Sequence, residues 1–236
     1  MTGKTEAGRA WSDDIARRPG GYSVTWTQWV EGPDAQAIFD ALVFDRTAGK
    51  IALDCGCGDG AFTLAVARGA SSVTGIDFSE GMLAHARVLA AERGMQNVVF
   101  VHAHARQDAL LPARSFDVAY SRRGPNITAV VPALVRPGGV LLGLHPLERD
   151  EDQVRYAQGL RESDLDVRRF ERLDDRLRFP TLVDLAGYLQ RTPGMPDVRR
   201  PEHADLLHEL AGEMVHPDGG FVQQVRWLLW EAQVRW

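Results

Sequence analysis

The chain is poor in cysteine, in lysine and in long apolar runs. Its only cysteines are Cys55 and Cys57, too close together to staple a fold and too few for a structural zinc site. Both read as small packing residues kept reduced. No apolar run reaches the roughly 18 residues that a membrane-spanning helix needs. The first ten residues, MTGKTEAGRA, lack the apolar stretch of a secretory signal. These absences point to the cytoplasm. Lys4 and Lys50 are the only lysines among 27 basic residues. Arginine supplies the rest, and its planar fork suits anions better than a point charge does. The net charge is -5, so no global basic field favours nucleic acid as a partner. A Ser/Gly-rich linker, a low-complexity tract and an internal repeat are all missing too.

What remains is ordinary globular material: 236 residues, 44% hydrophobic and 25% charged, enough to bury a core. Residues 1–20 are polar and without period, and read as a loose arm. From 21 to 236 a single domain is expected. Pro33 and Asp34 can open a helix, with Ile38, Leu42 and Val43 on one face. Short apolar runs then alternate with helical ones. KIALD, SVTGID, NVVFVH, FDVAYS and GGVLLGLH read as strands; AFTLAVARG, SEGMLAHARVLAAERG and NITAVVPALV read as helices. That alternation predicts an α/β fold of βαβ units, a mostly parallel sheet with helices on both faces. After residue 146 the pattern loosens. Residues 150–162, TLVDLAGYLQR and EHADLLHELAGEM look helical, LDVRRFERLDDRLRFP alternates weakly, and GGFVQQVRWLLWEAQVRW reads as a late strand, with helix left open by its periodicity.

The stretch LDCGCGDGAF, residues 53–62, closes the first strand of this series. Ligands of βαβ sheets sit at such strand ends, and glycine there lets backbone approach them. A dinucleotide turn would read G-x-G-x-x-G and cradle a pyrophosphate on the helix N-terminus. Here Gly56, Gly58 and Gly60 are spaced G-x-G-x-G, and Asp59 enters the helix. With Asp54 close by, the turn repels phosphate and suits a cationic group. Asp77 ends the next strand, where a carboxylate can accept from both hydroxyls of a ribose. A nucleoside with a free diol, no phosphate and a zwitterionic tail satisfies all three demands. S-adenosylmethionine (SAM) is such a molecule.

In LDCGCGDGAF, GIDFSEGML, LPARSFDVAYS and LVRPGGVLL, in that order, the chain resembles the class I SAM-dependent methyltransferases, and within them a small subgroup that includes quinone-biosynthesis enzymes. The resemblance covers about residues 35–145. It implies a Rossmann-like, mostly parallel seven-stranded sheet, SAM as cofactor and a methyl acceptor as substrate. Gly56, Cys57 and Gly58 would line the methionine part of SAM, with Asp54 facing its ammonium. Asp77 would hold the ribose, with Phe78 and Met82 packing near the adenine. Ser121 would offer backbone beside the transferring methyl. The family's Asp-Ala at the adenine amino group is absent; His104-Ala105 takes its place, or a shifted Asp108-Ala109 does. No metal is implied.

The acceptor is less legible. An Asn/Asp-Pro-Pro-Tyr motif for amino-group methylation is replaced by SRRGPN, and both cysteines belong to the glycine turn. A small molecule is therefore the expected acceptor. An RNA methyltransferase and a non-catalytic SAM-binding protein are the alternatives. His145, after the fifth strand, is the candidate general base or else a turn residue before Pro146. Arg122 and Arg123 are candidates to grip an anionic substrate, with Arg122 preferred. Tyr22, Trp26 and Trp29 could form a lid, or staple their segment to the core.

Overall fold

In the computed structural model of the chain, residues 10, 11, 13–17, 24–105, 111–163, 165–192 and 194–235 are described. The expected single domain divides by contact into two compact units. One holds Ala35–Leu173 and Arg226–Trp236 with the N-terminal segment; the other holds Tyr22–Asp34 and Asp174–Val225.

The first unit follows the predicted alternation. Helix α1 (Ala35–Thr47) leads into β2 (Ile51–Cys55), α2 (Ala61–Ala67), β3 (Ser72–Asp77), α3 (Glu80–Glu92), β4 (Val98–His102), β5 (Phe116–Arg122), β6 (Val135–Pro146) and α4 (Asp150–Glu162). Strand β7 spans Leu165–Phe179 and β8 Phe221–Val234, and each gives residues to both units. Among the described residues the sheet has eight strands, one more than expected, in the order β1-β7-β8-β6-β5-β2-β3-β4, with β1 at Trp29–Glu31. The β2–β3, β3–β4, β2–β5 and β5–β6 pairs are parallel, and β6–β8 is antiparallel. The C-terminal ends of β2 to β6 therefore share one edge, which is where the glycine turn and Asp77 lie.

Local chemistry explains the boundaries. Ser79 caps α3, its Oγ accepting from Met82 N at 3.3 Å. Gly94, at φ 63°, ends that helix in a left-handed turn. Asp117 is structural: it accepts from Ile51 N at 2.9 Å and pairs with Arg136 at 2.9 Å. On β6, Gly143 leaves room for the buried Trp230 ring, which a Cβ would meet at 2.3 Å. Leu53, Ile76, Ala119, Leu141 and Trp230 belong to one apolar cluster, and Leu64, Leu83, Ala86 and Phe100 to another. Cys55 falls in the first and Cys57 in the second, and both are free thiols.

Three expectations change. The helix read over 126–135 shrinks to one 3-10 turn, Val131–Leu134. Pro132 lacks an amide hydrogen and disfavours helix in the residue before it. The weakly alternating stretch becomes the 15-residue β7. Within the nominally loose arm, residues 13–17 are helical, with Ile15 fully buried.

In the second unit, β1 (Trp29–Glu31) pairs antiparallel with residues 176–178 of β7. Helices α5 (Leu182–Leu189) and α6 (Ala204–Gly212) follow. Leu177, Phe179, Leu185, Leu189, Val198 and Ala211 form its core. Trp26 packs on Gly187 and meets Tyr188 edge-on at 6.4 Å, while Thr27 N donates to Asp184 at 2.8 Å. Trp26 thus staples its segment to α5. Trp29 is half-exposed and lies under the Arg178 guanidinium at 5.8 Å. Tyr22 lies outside the described residues.

Candidate cofactor and acceptor site

The glycine turn is tied to the neighbouring strand. Gly56 N and Cys57 N both donate to Ile76 O, at 2.8 and 3.0 Å. Gly56, Gly58 and Gly60 all have positive φ (84°, 55° and 76°), a region glycine occupies without strain. A Cβ on Gly56 would also lie 2.7 Å from Pro125 Cδ. The loop after β5 thus rests directly on the turn, and only glycine allows it.

Asp77 closes the corner between turn and strand. Its Oδ2 accepts from Gly58 N and its Oδ1 from Ser79 N, both at 2.9 Å. Burial raises its proton affinity, while the amides of Ser79, Gly58 and Phe78 oppose that rise. Each oxygen keeps a second lone pair for a hydroxyl donor.

Asp54 is sealed behind the turn. Thr63 Oγ1 donates to its Oδ2 at 2.7 Å. Burial pushes its carboxyl up to about 7, against the Thr63 hydroxyl and the Tyr120 phenol and with help from Asp77. The Tyr120 Oη is buried and makes no hydrogen bond of ordinary geometry among the described residues, yet it lies near enough for each group to shift the other. Two crowded carboxyls with raised proton affinity are a site that a cationic, diol-bearing ligand would relieve.

Around this corner the predicted adenine residues gather. Phe78 is half-buried and faces the His104 ring at 6.1 Å. Met82 and Ala105 are buried. His102 Nε2 contacts Phe78 O at 3.0 Å. The alternative pair Asp108-Ala109 lies outside the described residues. Ser121 is fully buried and donates from Oγ to Pro125 O at 2.8 Å. The pairing of β5 with β2 ends at Tyr120↔Asp54, so Ser121 is the first residue beyond it.

The two acceptor-side candidates are placed otherwise than the sequence suggested. Arg122 is held by Asp40 of α1, Nε to Oδ1 at 2.6 Å and Nη2 to Oδ2 at 2.9 Å, and its guanidinium sits 4.7 Å over the Phe62 ring. A guanidinium already engaged in a two-point carboxylate pair is not standing free for a substrate anion. His145 is 0% exposed and stacked on Tyr156 at 4.4 Å, with Trp230 at 6.2 Å on a near-parallel plane. Neither ring nitrogen makes a hydrogen bond of ordinary geometry among the described residues. Burial lowers its pKa to about 4, although the Gly124 backbone pushes the other way. A base must come within hydrogen-bond reach of the proton it takes, and this ring is closed off.

Sequence reasoning missed Thr63, Tyr120, Asp40 and Ser79. Thr63 left a signal, since it is the polar residue among the apolar neighbours of AFTLAVA. Asp40 left none, because its partner lies 82 positions away.

Comparison with known proteins agrees with this geometry. Residues 52–139 match the family described as methyltransferase domain. A ubiquinone biosynthesis O-methyltransferase from Aromatoleum aromaticum is 40% identical over 99 residues, covering 39% of this chain and 42% of that protein. The match thus spans well under half the length of this curated relative. A protein of unknown function from Deinococcus radiodurans superposes with a TM-score of 0.68 at 22% identity, over 96% of this chain and 100% of the other. Geranyl diphosphate C-methyltransferase from Streptomyces coelicolor, solved with Mg2+, geranyl diphosphate and S-adenosyl-L-homocysteine, gives 0.57 at 13% identity, over 95% and 97% of the two chains. Over residues 52–139 the chain is therefore similar to methyltransferase domains, and over 99 residues to ubiquinone biosynthesis O-methyltransferases, while the solved structures share its fold.

Proposed function

We propose that the protein binds SAM at the β2–β3 corner and transfers its methyl group to a small-molecule acceptor. The observation that carries this reading is Asp77, a buried carboxylate anchored by the amides of the glycine turn and of Ser79, with Asp54 behind the same turn. When bound, SAM supplies a methyl carbon made electrophilic by its sulfonium. Asp77 would accept from the ribose hydroxyls. Asp54 would face the ammonium, and Gly56, Cys57 and Gly58 would line the methionine. Phe78, Met82, His104 and Ala105 would border the adenine. Ser121 and the loop resting on Gly56 would border the transferring end.

Alignment of the acceptor behind the methyl carbon is what such a site must provide. With His145 sealed in its aromatic stack, we assign it to packing between Tyr156 and Trp230 rather than to proton transfer. Arg122 is assigned to the Asp40 pair. Acceptors whose reacting oxygen is already acidic, such as phenols, enols or carboxylic acids, suit a site in which His145 does not serve as the base. The O-methyltransferase relatives support an oxygen acceptor.

A non-catalytic SAM-binding protein is the second reading, favoured by the internal engagement of both His145 and Arg122. One assay separates the readings. The protein is incubated with methyl-labelled SAM and a cell extract, and label is followed into small-molecule and RNA fractions. Label in the small-molecule fraction is expected. Label in RNA alone, or in neither fraction while S-adenosylhomocysteine still binds, would overturn the proposal.

A further inference from the structure

The N-terminal segment is built into the cofactor corner. Asp13 Oδ1 accepts from Ser79 Oγ at 2.6 Å, and Ser79 N is one of the two amides on Asp77. A serine hydroxyl has one proton to donate; Asp13 takes it, and the Oγ lone pairs remain for the cap on Met82 N. Asp13 thus fixes the rotor that both starts α3 and borders Asp77. It also places a carboxylate at a helix N-terminus, where the helix dipole favours it.

Three further contacts dock the same segment. Ile15 is fully buried and Ala16 nearly so. Ala16 O lies 2.8 Å from His85 Nε2 of α3. A Cβ on Gly81 would come within 3.1 Å of Ala16 Cβ, so glycine at 81 permits the close approach. A pocket of about 360 Å³ lies along the seam, bordered by Asp13, Arg17 and Glu80.

We propose that Asp13 is a positioning residue for the cofactor's ribose, acting through Ser79 on the Asp77 corner, so that docking of residues 13–17 and occupancy of the ribose site favour one another. The proposal rests on the reading that Asp77 accepts the ribose diol. Coupling between two such sites is reciprocal. Asp13 strengthens binding by holding the corner ready, and a bound diol in turn holds Asp13 in place.

The test is calorimetric binding of S-adenosylhomocysteine and of its 2′-deoxy analogue to wild type, Asp13→Ala and Asp13→Asn. Asp13→Ala is expected to weaken S-adenosylhomocysteine roughly 5- to 30-fold, within the usual range of coupling between sites. It should weaken the 2′-deoxy analogue by a clearly smaller factor, because one of the two hydroxyls is gone. Asp13→Asn keeps an acceptor for Ser79 and should recover part of the loss. In parallel, saturating S-adenosylhomocysteine should slow tryptic cleavage after Arg17, an exposed residue of the segment. Equal losses for the two ligands would reduce Asp13 to a structural role and overturn the proposal. Wild-type affinity in Asp13→Ala would overturn it while leaving the cofactor reading intact. If wild type fails to bind S-adenosylhomocysteine at all, the cofactor reading falls and this inference falls with it.

Discussion

The two ends of the parallel sheet treat their polar side chains in opposite ways. At the β2–β3 corner, Asp77 is anchored by backbone amides alone. Its position is fixed while its remaining lone pairs stay unused, and neighbouring Asp54 is left with a raised proton affinity. At the β5–β6 end, Arg122 and His145 occupy equivalent places just where their strands finish, yet both are absorbed into the protein. Arg122 is matched by Asp40 and Phe62, and His145 by Tyr156 and Trp230. Location at a strand end therefore does not by itself make a functional group. Between Asp77 and Arg122 the difference is the partner: backbone amides orient Asp77 and leave it capacity, whereas the Asp40 carboxylate consumes the Arg122 guanidinium.

The largest effect expected of this contrast is at Asp77. Asp77→Ala should weaken SAM binding by about 2–4 kcal/mol through loss of two charge-assisted hydrogen bonds, and Asp77→Asn by less; titration calorimetry reads both. Unchanged affinity in both variants would remove Asp77 from the ribose.

Next comes the pH dependence of Asp54. Its folded value, about 7, lies above the ordinary 3.8, so the folded form holds the extra proton between those limits. The stability it contributes is present at low pH and is lost as pH rises from about 4 through about 7, with a slope of at most about 1.4 kcal/mol per pH unit. Asp77 shifts in the same direction, so the comparison is between wild type and Asp54→Asn. Urea melts from pH 5 to 8 should show the flatter profile in Asp54→Asn, and parallel profiles would contradict the assignment.

The internal engagement of Arg122 predicts a loss of fold rather than of substrate. Arg122→Ala should cost about 1–2 kcal/mol of stability, a discounted value for charge-assisted bonds in a partly exposed pair. A cycle with Asp40→Ala should show the two changes to be strongly non-additive. A variant of normal stability with a raised KM would return Arg122 to the substrate.

The smallest effect is expected at His145. Replacing a buried ring whose nitrogens make no hydrogen bond among the described residues by an apolar ring of similar shape is close to neutral. His145→Phe should hold turnover within about threefold, whereas loss of a general base lowers it about 10²–10⁴-fold.

The same contrast explains what could be read in the sequence. The glycine turn, Asp77, Phe78 and Met82 are placed by local rules: a strand run, a spacing of glycines, a cap at Ser79. Those rules act over a few residues, so strands β2 to β6 and β8 and the helices from α1 to α4 were legible, whereas β1, β7 and the corner's Thr63, Tyr120 and Ser79 were not. Asp40, Tyr156 and Trp230 act on residues far away in the chain, and only the register of α1, α4 and β8 brings them there. The docked segment 13–17 was illegible for a related reason: one buried isoleucine and one close alanine carry its packing, too little to show as a period. Pro132 was a local signal passed over, and it shortened the helix expected across 126–135.

The central claim, that the turn at 53–62 and Asp77 form a SAM site, is tested most directly by calorimetric titration of the full chain with SAM, S-adenosylhomocysteine and NAD. The account predicts that SAM and S-adenosylhomocysteine bind, that both weaken sharply in Asp77→Ala, and that NAD binds far more weakly. Tight NAD binding with no binding of SAM or S-adenosylhomocysteine would contradict it.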